Sequence, residues 1–344
     1  MTIAAHSEDE ELSRPAGLRK SFFEIHNLVA MFFLVAMRGM LQLQSPGAPV
    51  ARDLEVTMLI LLAAMGISCL PDFVNDESAA SRGRVAAAHI YRVLYIFVMV
   101  RSYMMLRELL PVLRPGSLDA ELLAIDRAIL GVTPAVWMDQ FNHRLIIEWF
   151  SAFYFSYFLL CAFSLFWVLW AVKDLKLLRP YAIGGAIVFY LGQLTYVAVP
   201  GYGPVSYLAD QFAGPLDGGF FWGLVSATVA QGGAMKDIFP SLHTALPTYF
   251  TIFAFYAART DPRFKLISRV LLFMTMNIIV STMLLRWHYA IDVVAGLTLA
   301  FSALAFGRWA APREARIQAA HGMTSHWAPP PEWEGAELPE GHHA

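Results

Sequence analysis

The sequence is poor in charged residues and in cysteine. Only 15% of its 344 residues are Asp, Glu, Lys or Arg, whereas 57% are hydrophobic and the mean hydropathy is +0.51. Because soluble domains carry about 25% charged residues, this shortage excludes a soluble globular protein and indicates a chain that lives in a bilayer. The two cysteines, Cys69 and Cys161, lie inside apolar segments. They are interpreted as small core side chains, not as a disulfide or a metal pair.

The ends of the chain lack apolar stretches. The first twenty residues are acidic and then basic with no apolar h-region, so no cleavable signal peptide is expected. From about residue 310 the sequence is Pro-rich and polar, which predicts a disordered cytoplasmic tail over 310–344. Residues 1–25 are interpreted as a cytoplasmic N-terminal segment. The membrane-embedded domain is expected over 26–309, with its catalytic core from about 120 to 309.

Long apolar runs fill the region between the two ends. Runs of about 17 to 25 apolar residues are the length needed to cross a bilayer as a helix. Eight segments of this kind occur, near 26–44, 54–72, 87–106, 148–172, 181–199, 242–259, 266–286 and 289–308. The fold class predicted is therefore all-α, a polytopic membrane protein with about eight transmembrane helices.

The distribution of Lys and Arg between these segments predicts the orientation. Fifteen lie at the two ends and in the loops that follow the second, fourth and sixth segments, against five on the other side. Since cytoplasmic loops are enriched in Lys and Arg, both termini are expected in the cytoplasm. The segments 45–53, 107–147, 200–241 and 286–289 are then on the outer face. Within 107–147, apolar residues at helical spacing predict one or two short interfacial helices.

Two polar motifs interrupt the apolar pattern at the outer face. The first, GGAMKDIFPSLHTALPTYF (232–250), contains His243, and the second, HYAIDVVAG (288–296), contains His288 and Asp292. At i and i+4 on a helix, the Asp292 carboxylate can accept a hydrogen bond from His288 and leave the other ring nitrogen free to attack. A second histidine at the same depth can donate a proton. These residue types suit in-line transfer of a phosphoryl-type group.

The segments FPSLHTA (239–245) and HYAIDVVAG resemble signature motifs of the type-2 phosphatidic acid phosphatase superfamily. They are most similar to its inositol phosphorylceramide synthase branch, which has Leu before the histidine where classical phosphatases have Gly. The segments DRAILGVTPAVWM (126–138) and VPGYGP (199–204) also fit that branch.

The resemblance implies a six-helix catalytic core and a reaction without a metal or other cofactor. It also implies a phosphohistidine intermediate on His288, with His243 as acid and base and Asp292 orienting His288. The expected partners are a phospholipid donor and a lipid alcohol acceptor such as ceramide within the membrane. No nucleic-acid partner is expected.

The sequence departs from classical members in its basic residues. Thr282 stands six residues before His288, where those members have Arg, and KDLKLLRP (173–180) has one residue too few for their first motif. By the predicted topology that loop lies a full span, about 28 Å, from the histidines, so it is rejected as a phosphate binder. A phosphodiester monoanion needs less compensating charge than a phosphomonoester dianion. The thin cationic set therefore favours a diester donor.

Five residues are candidates for substrate binding, each with a structural alternative. Arg286 is a phosphate ligand or an interfacial anchor, and Lys236 is a phosphate ligand or a solvated charge. Ser241 is expected to cap the sixth helix and to orient phosphate. The intramembrane residues Arg38 and Arg101 contact a head group or pair with acidic residues, namely Glu55, Glu108 or Glu148.

Two other functions remain open from the sequence. A lipid phosphatase, acting on a mono- or diphosphate such as phosphatidic acid or a polyprenyl carrier, would use the same three residues with water as acceptor. A transporter would explain the intramembrane arginines. It would not explain two histidines and an aspartate at one mouth, and no repeat symmetry is visible.

Overall fold

The structure, a computed structural model, describes residues 19–73, 77–232 and 234–329. The fold is all-α, as predicted, with helices at all eight expected membrane segments. The first helices are α1 (Ile25–Gln44), α2 (Val50–Cys69), α3 (Glu77–Met104), α4 (Leu106–Leu113), α5 (Asp119–Leu130), α6 (Pro134–Met138) and α7 (Arg144–Ala171). The others are α8 (Leu175–Ala186), α9 (Gly192–Ala198), α10 (Pro204–Tyr207), α11 (Phe220–Gly232), α12 (Leu242–Ala257), α13 (Phe264–Leu284) and α14 (Ala290–Ala320). A π-helical turn, Ile187–Leu191, joins α8 to α9 in one continuous span.

Seven helical segments in the described residues are long and apolar enough to cross a membrane. The remaining predicted span, the sixth, is α12, which has only 16 residues, or about 24 Å of helix. The pairing of the two ends indicates that α12 also crosses, because the strands β1 (Arg19–Lys20) and β2 (Met323–Thr324) pair in parallel. Ends that touch lie on one membrane face, which requires an even number of crossings.

The chain beyond residue 310 corrects the prediction of a disordered tail. Helix α14 continues to Ala320, and residues 321–329 fold back against residues 19–24. Lys20 Nζ donates to the Ser325 carbonyl at 2.9 Å, and the backbone N–H of His326 donates to Glu24 at 3.1 Å. We call residues 19–24 and 321–329 the terminal clasp. Disorder is therefore wrong for 310–329, and 330–344 lie outside the described residues.

Helix α12 lies at the centre of the bundle. It packs against α13 and α14, and most of its residues are buried. Glycines allow α14 to approach its neighbours: a Cβ on Gly296 would lie 2.6 Å from the Ser241 carbonyl oxygen, and one on Gly307 would lie 2.6 Å from that of Pro180. Small residues at helix contacts are common in membrane bundles. This close packing fixes the starts of α12 and α14 relative to each other.

Short helices between the spans cover the end of the bundle where α12 and α14 begin. Helix α5 confirms the predicted amphipathic helix, with Leu122 and Leu123 buried against Tyr289 and Ile238. It also buries Asp119 and Asp126, although the sequence pattern assigns acidic side chains to the solvent face. Both accept backbone N–H groups from other segments, which explains why these carboxylates are inside.

Candidate active site

The two predicted catalytic histidines lie at the starts of neighbouring helices. His243 is the second residue of α12 and lies two residues after the N-cap residue Ser241, whose hydroxyl accepts the Thr244 backbone N–H at 3.3 Å. His288 precedes α14 by two residues, and its backbone N–H donates to the Thr282 carbonyl at 3.1 Å. Since α12 packs on α14, the two motifs meet at one end of the bundle.

Asp292 contacts His288 through the cap of α14 rather than along a helical face. His288 lies outside the helix, and its Nδ1 is 3.3 Å from Asp292 Oδ2, which also accepts the Tyr289 N–H at 2.9 Å. Asp292 is fully buried. An ionised carboxylate can only accept, so Nδ1 of a neutral His288 holds the proton and Nε2 keeps its lone pair. The i,i+4 spacing thus predicted the right pair, although the geometry is that of a capping box.

His243 faces His288 and is enclosed by aromatic rings. The centroids of the two imidazoles are 6.3 Å apart. His243 stacks on Tyr154 at 4.4 Å and lies 4.1 Å from the ring of Tyr157. Its Nε2 is buried with no hydrogen-bond partner among the described residues.

Both histidines line a cavity of about 530 Å³ inside the bundle. Its walls come from α3, α7, the α8–α9 span, α11 and α12, and its lining is almost wholly apolar. Polar groups gather at the end with the histidines, where they include Tyr103, Tyr154, Tyr196 and Asp237. No Lys or Arg of the described residues lines the cavity.

Asp237 is a site residue that the sequence analysis missed. It lines the cavity, and the Tyr103 hydroxyl donates to its Oδ2 at 2.8 Å. Desolvation raises the pKa of Asp237 above its usual range. The available signal was an acidic residue six positions before His243 in the same polar motif. Without the cavity, that carboxylate looks like a solvated loop charge.

Arg286 and Lys236 do not reach the cavity. Arg286 is buried, forms an ion pair with Asp139, donates to the Gly214 carbonyl at 2.9 Å and lies over the ring of Phe212. Lys236 is also buried, and its ammonium donates to the carbonyls of three consecutive residues, Arg114, Pro115 and Gly116. Both side chains connect loops in this structure, and the buried Lys236 is not the solvated charge of its stated alternative.

Arg38 and Arg101 also lie outside the cavity lining. Arg38 donates to Glu55 at 2.8 Å, which is the structural alternative stated above for that residue. Arg101 pairs with Asp53 and donates to the Thr57 hydroxyl at 3.0 Å. Both arginines therefore connect other helices to α2. The structure does not bring them together with His243 and His288.

Ser241 and the rejected basic loop complete the predicted positions. Ser241 caps α12 as expected, and its side chain is fully buried and does not line the cavity. Most of the segment KDLKLLRP belongs to the first turns of α8, where Arg179 donates to Gln318 at 2.6 Å. Gln318 lies near the end of α14, about 40 Å of helix from the start that holds Asp292. The rejection of that loop as a phosphate binder agrees with this position.

Within the described ranges, no three His, Cys, Asp or Glu side chains form a group that could hold a metal ion. Both cysteines are free. The polar groups at this end of the cavity are two imidazoles, the carboxylate of Asp237 and tyrosine hydroxyls, with the Asp292 carboxylate behind His288.

Comparison with known proteins gave one match. A family model described as the PAP2 superfamily matches residues 120–306. Searches of curated proteins and of solved structures gave no significant match. The matched range contains His243, His288 and Asp292. It leaves out α1 to α4 and the terminal clasp.

Proposed function

The chain belongs to the PAP2 superfamily and is a phosphatase or phosphotransferase of lipids, and on that premise we propose that it is a transferase. The reaction proposed moves a phospho-head group, phosphoinositol-like in kind, from a phospholipid to a lipid alcohol such as ceramide. His288 is the nucleophile, His243 the acid and base, and Asp292 the residue that orients His288.

The observation that supports a diester donor is the absence of Lys and Arg from the described cavity lining. A phosphomonoester dianion held away from bulk water needs strong positive compensation, whereas a diester has one negative charge. The carboxylate of Asp237 in the same cavity makes a dianion still less favourable. With Arg286 and Lys236 bound elsewhere, a phospholipid diester is the donor that this site suits best.

In the first half-reaction, Nε2 of His288 forms a bond to phosphorus while the bond from phosphorus to the diacylglycerol oxygen breaks. A protonated His243 donates its proton to that oxygen, so neutral diacylglycerol leaves. The rings of Tyr154 and Tyr157 lie 4.4 and 4.1 Å from the ring of His243, within the distance at which the face of an aromatic ring attracts a cation. The head group stays attached to His288 through phosphorus. Asp292 stabilises the positive charge on the His288 ring.

In the second half-reaction, the hydroxyl of the lipid alcohol gives its proton to His243 and its oxygen bonds to phosphorus. The bond between phosphorus and Nε2 of His288 breaks, which restores both histidines. Water is the competing acceptor. The apolar lining of the cavity disfavours water and favours a hydroxyl that arrives on a hydrocarbon chain.

The experiment uses the purified protein in mixed micelles with phosphatidylinositol labelled in its head group, with and without ceramide. Phosphatidic acid is the parallel substrate, and the His288→Ala variant is the control for contaminating activity. Label on ceramide, dependent on His288 and retained in excess EDTA, supports the transferase. Rapid release of phosphate from phosphatidic acid, with no labelled ceramide, contradicts it and identifies a lipid phosphatase.

A further inference from the structure

The cavity continues far beyond the two histidines. Along α7 its lining extends from Tyr154, beside His243, to Leu169, which is about 22 Å at the rise of an α-helix. A volume of about 530 Å³ over that length is a mean cross-section of about 25 Å², which suits one extended hydrocarbon chain. The depth exceeds half of the roughly 30 Å hydrocarbon core of a bilayer.

Trp327 of the terminal clasp lies at the far end of this cavity. It is a lining residue and only 1% exposed. Its indole packs on the rings of His26 and Tyr91 at 5.1 Å and of Tyr95 at 5.5 Å. Its carbonyl accepts from Arg92, which also donates to the carbonyl of Leu169, the last lining residue of α7.

Contacts between the two parts of the clasp, before and after Trp327 in the chain, hold this residue in position. Residues 323–324 pair with 19–20, Lys20 donates to the carbonyls of Ser325 and Ala328, and His326 donates to Glu24. A large rigid ring so held cannot give way as a flexible side chain does. All of these residues lie outside the range 120–306 that matches the superfamily.

We propose that one hydrocarbon chain of the reacting lipid occupies this cavity and that Trp327 is the end stop that limits its length. The proposal rests on the proposed function, because the lipid's phosphorus must lie at His288 while its chain extends toward Trp327. A chain that exceeds the available depth must bend or withdraw its head group from the histidines. Such overpacking lowers occupancy by about tenfold.

The test measures binding and transfer over a series of chain lengths. An equimolar mixture of saturated lysophosphatidylinositols, from octanoyl to docosanoyl, is offered to the full-length His288→Ala protein, and the bound lipids are quantified by mass spectrometry. The same series gives kcat/KM for transfer by the protein with His288 intact. Each measurement is repeated with Trp327→Ala and with Trp309→Ala, a matched control whose ring is exposed outside the cavity.

We expect occupancy and kcat/KM to fall by about tenfold beyond a limiting length, and Trp327→Ala to move that limit to longer chains. Trp309→Ala should leave the limit in place. Ala186→Leu provides a second variant that leaves the clasp intact. It adds side-chain volume to the cavity wall about 15 Å along the α8–α9 span from Tyr196. This variant should shorten the longest chain that the cavity accepts.

An unchanged length limit in Trp327→Ala overturns the end stop. If Trp327→Ala does not fold, an unchanged limit in Ala186→Leu overturns it instead. Equal binding of all chain lengths also overturns it. Because binding is read without turnover, absence of transfer with a normal chain-length limit contradicts only the proposed function.

Discussion

Asp292 contacts His288 through one carboxylate oxygen, Oδ2, which also accepts the Tyr289 backbone N–H. In Asp292→Asn the amide oxygen can accept both hydrogen bonds, so folding and lipid binding should be nearly unchanged. The amide cannot stabilise positive charge on His288, and turnover should fall by about a hundredfold or more. The measurement is kcat beside Tm, with the exposed Asp210→Asn as control. Near-normal kcat in Asp292→Asn removes Asp292 from the reaction.

The two histidines are predicted to differ in the covalent step. His243→Ala should still form some phosphohistidine from a donor with a good leaving group, because His288 keeps its Asp292 partner. His288→Ala should form none. Incorporation of head-group label into acid-quenched protein measures the adduct, and His321→Ala, which alters an exposed histidine, is the control. An adduct in His288→Ala reverses the two roles.

At the level of single residues, the sequence predicted the two histidines and Asp292 as neighbours because their motifs fall at the same depth of two spans. It did not predict the cavity lining. Arg286 and Lys236 are buried against Asp139 and backbone carbonyls, and these partners lie 147 and about 120 residues away in the chain. Asp237 was missed for the same reason, since it faces a cavity whose walls include the distant helices α3 and α7.

The start of α14 depends on another element, the short helix α5. Asp126 of α5 accepts the backbone N–H groups of Ala290 and Ile291 at 2.8 and 2.9 Å. These are first-turn groups that have no partner within the helix. Asp126→Ala should therefore lower stability by about 1–2 kcal/mol and reduce kcat, because the same turn positions Asp292. Glu121→Ala, on the exposed side of α5, should change neither. Unaltered Tm and kcat in Asp126→Ala would show that α5 does not support the site.

Hydropathy predicted the spans but not where helices end. Helix α3 begins ten residues before its predicted start, and α14 continues twelve residues beyond its predicted end. An apolar window detects the bilayer, whereas a helix continues wherever backbone hydrogen bonds and packing allow. The tail to residue 329 is ordered because Glu24, Lys20 and Arg92 provide partners for it. No local property of a Pro-rich sequence reveals those partners.

The terminal clasp joins the two ends of the molecule around a buried acid. Desolvation, and then the neighbouring Glu314, raise the pKa of Glu24 from 4.5 to about 8. An acid with a raised folded pKa binds its proton more tightly in the folded protein. Its contribution to stability is therefore greatest below pH 4.5 and declines as the pH rises to about 8.

Glu24→Gln should abolish that part of the pH dependence. Its amide oxygen can still accept from His326 and Gln318. The difference in Tm, wild type minus variant, should decrease steadily as the pH is raised from about 4.5 to about 8. Burial also lowers the pKa of His326 to about 3 and of Lys20 to about 8. Both groups are present in both proteins, and the charge of Glu24 acts on Lys20 only near pH 8, where Glu24 itself titrates. A constant difference contradicts a protonated Glu24 in the clasp.

The orientation of the whole molecule is the last prediction. Fifteen Lys and Arg on the side of the termini, against five on the other, predict that the termini lie in the cytoplasm and the histidines at the outer face. Two exposed positions flank α12, Asp210 before it and Thr260 after it. In a background with Cys69 and Cys161 replaced by Ala, Asp210→Cys should react with a membrane-impermeant maleimide in sealed right-side-out vesicles. Thr260→Cys should react only after permeabilisation. The opposite pattern inverts the orientation, and labelling of both from one side contradicts a membrane crossing by α12.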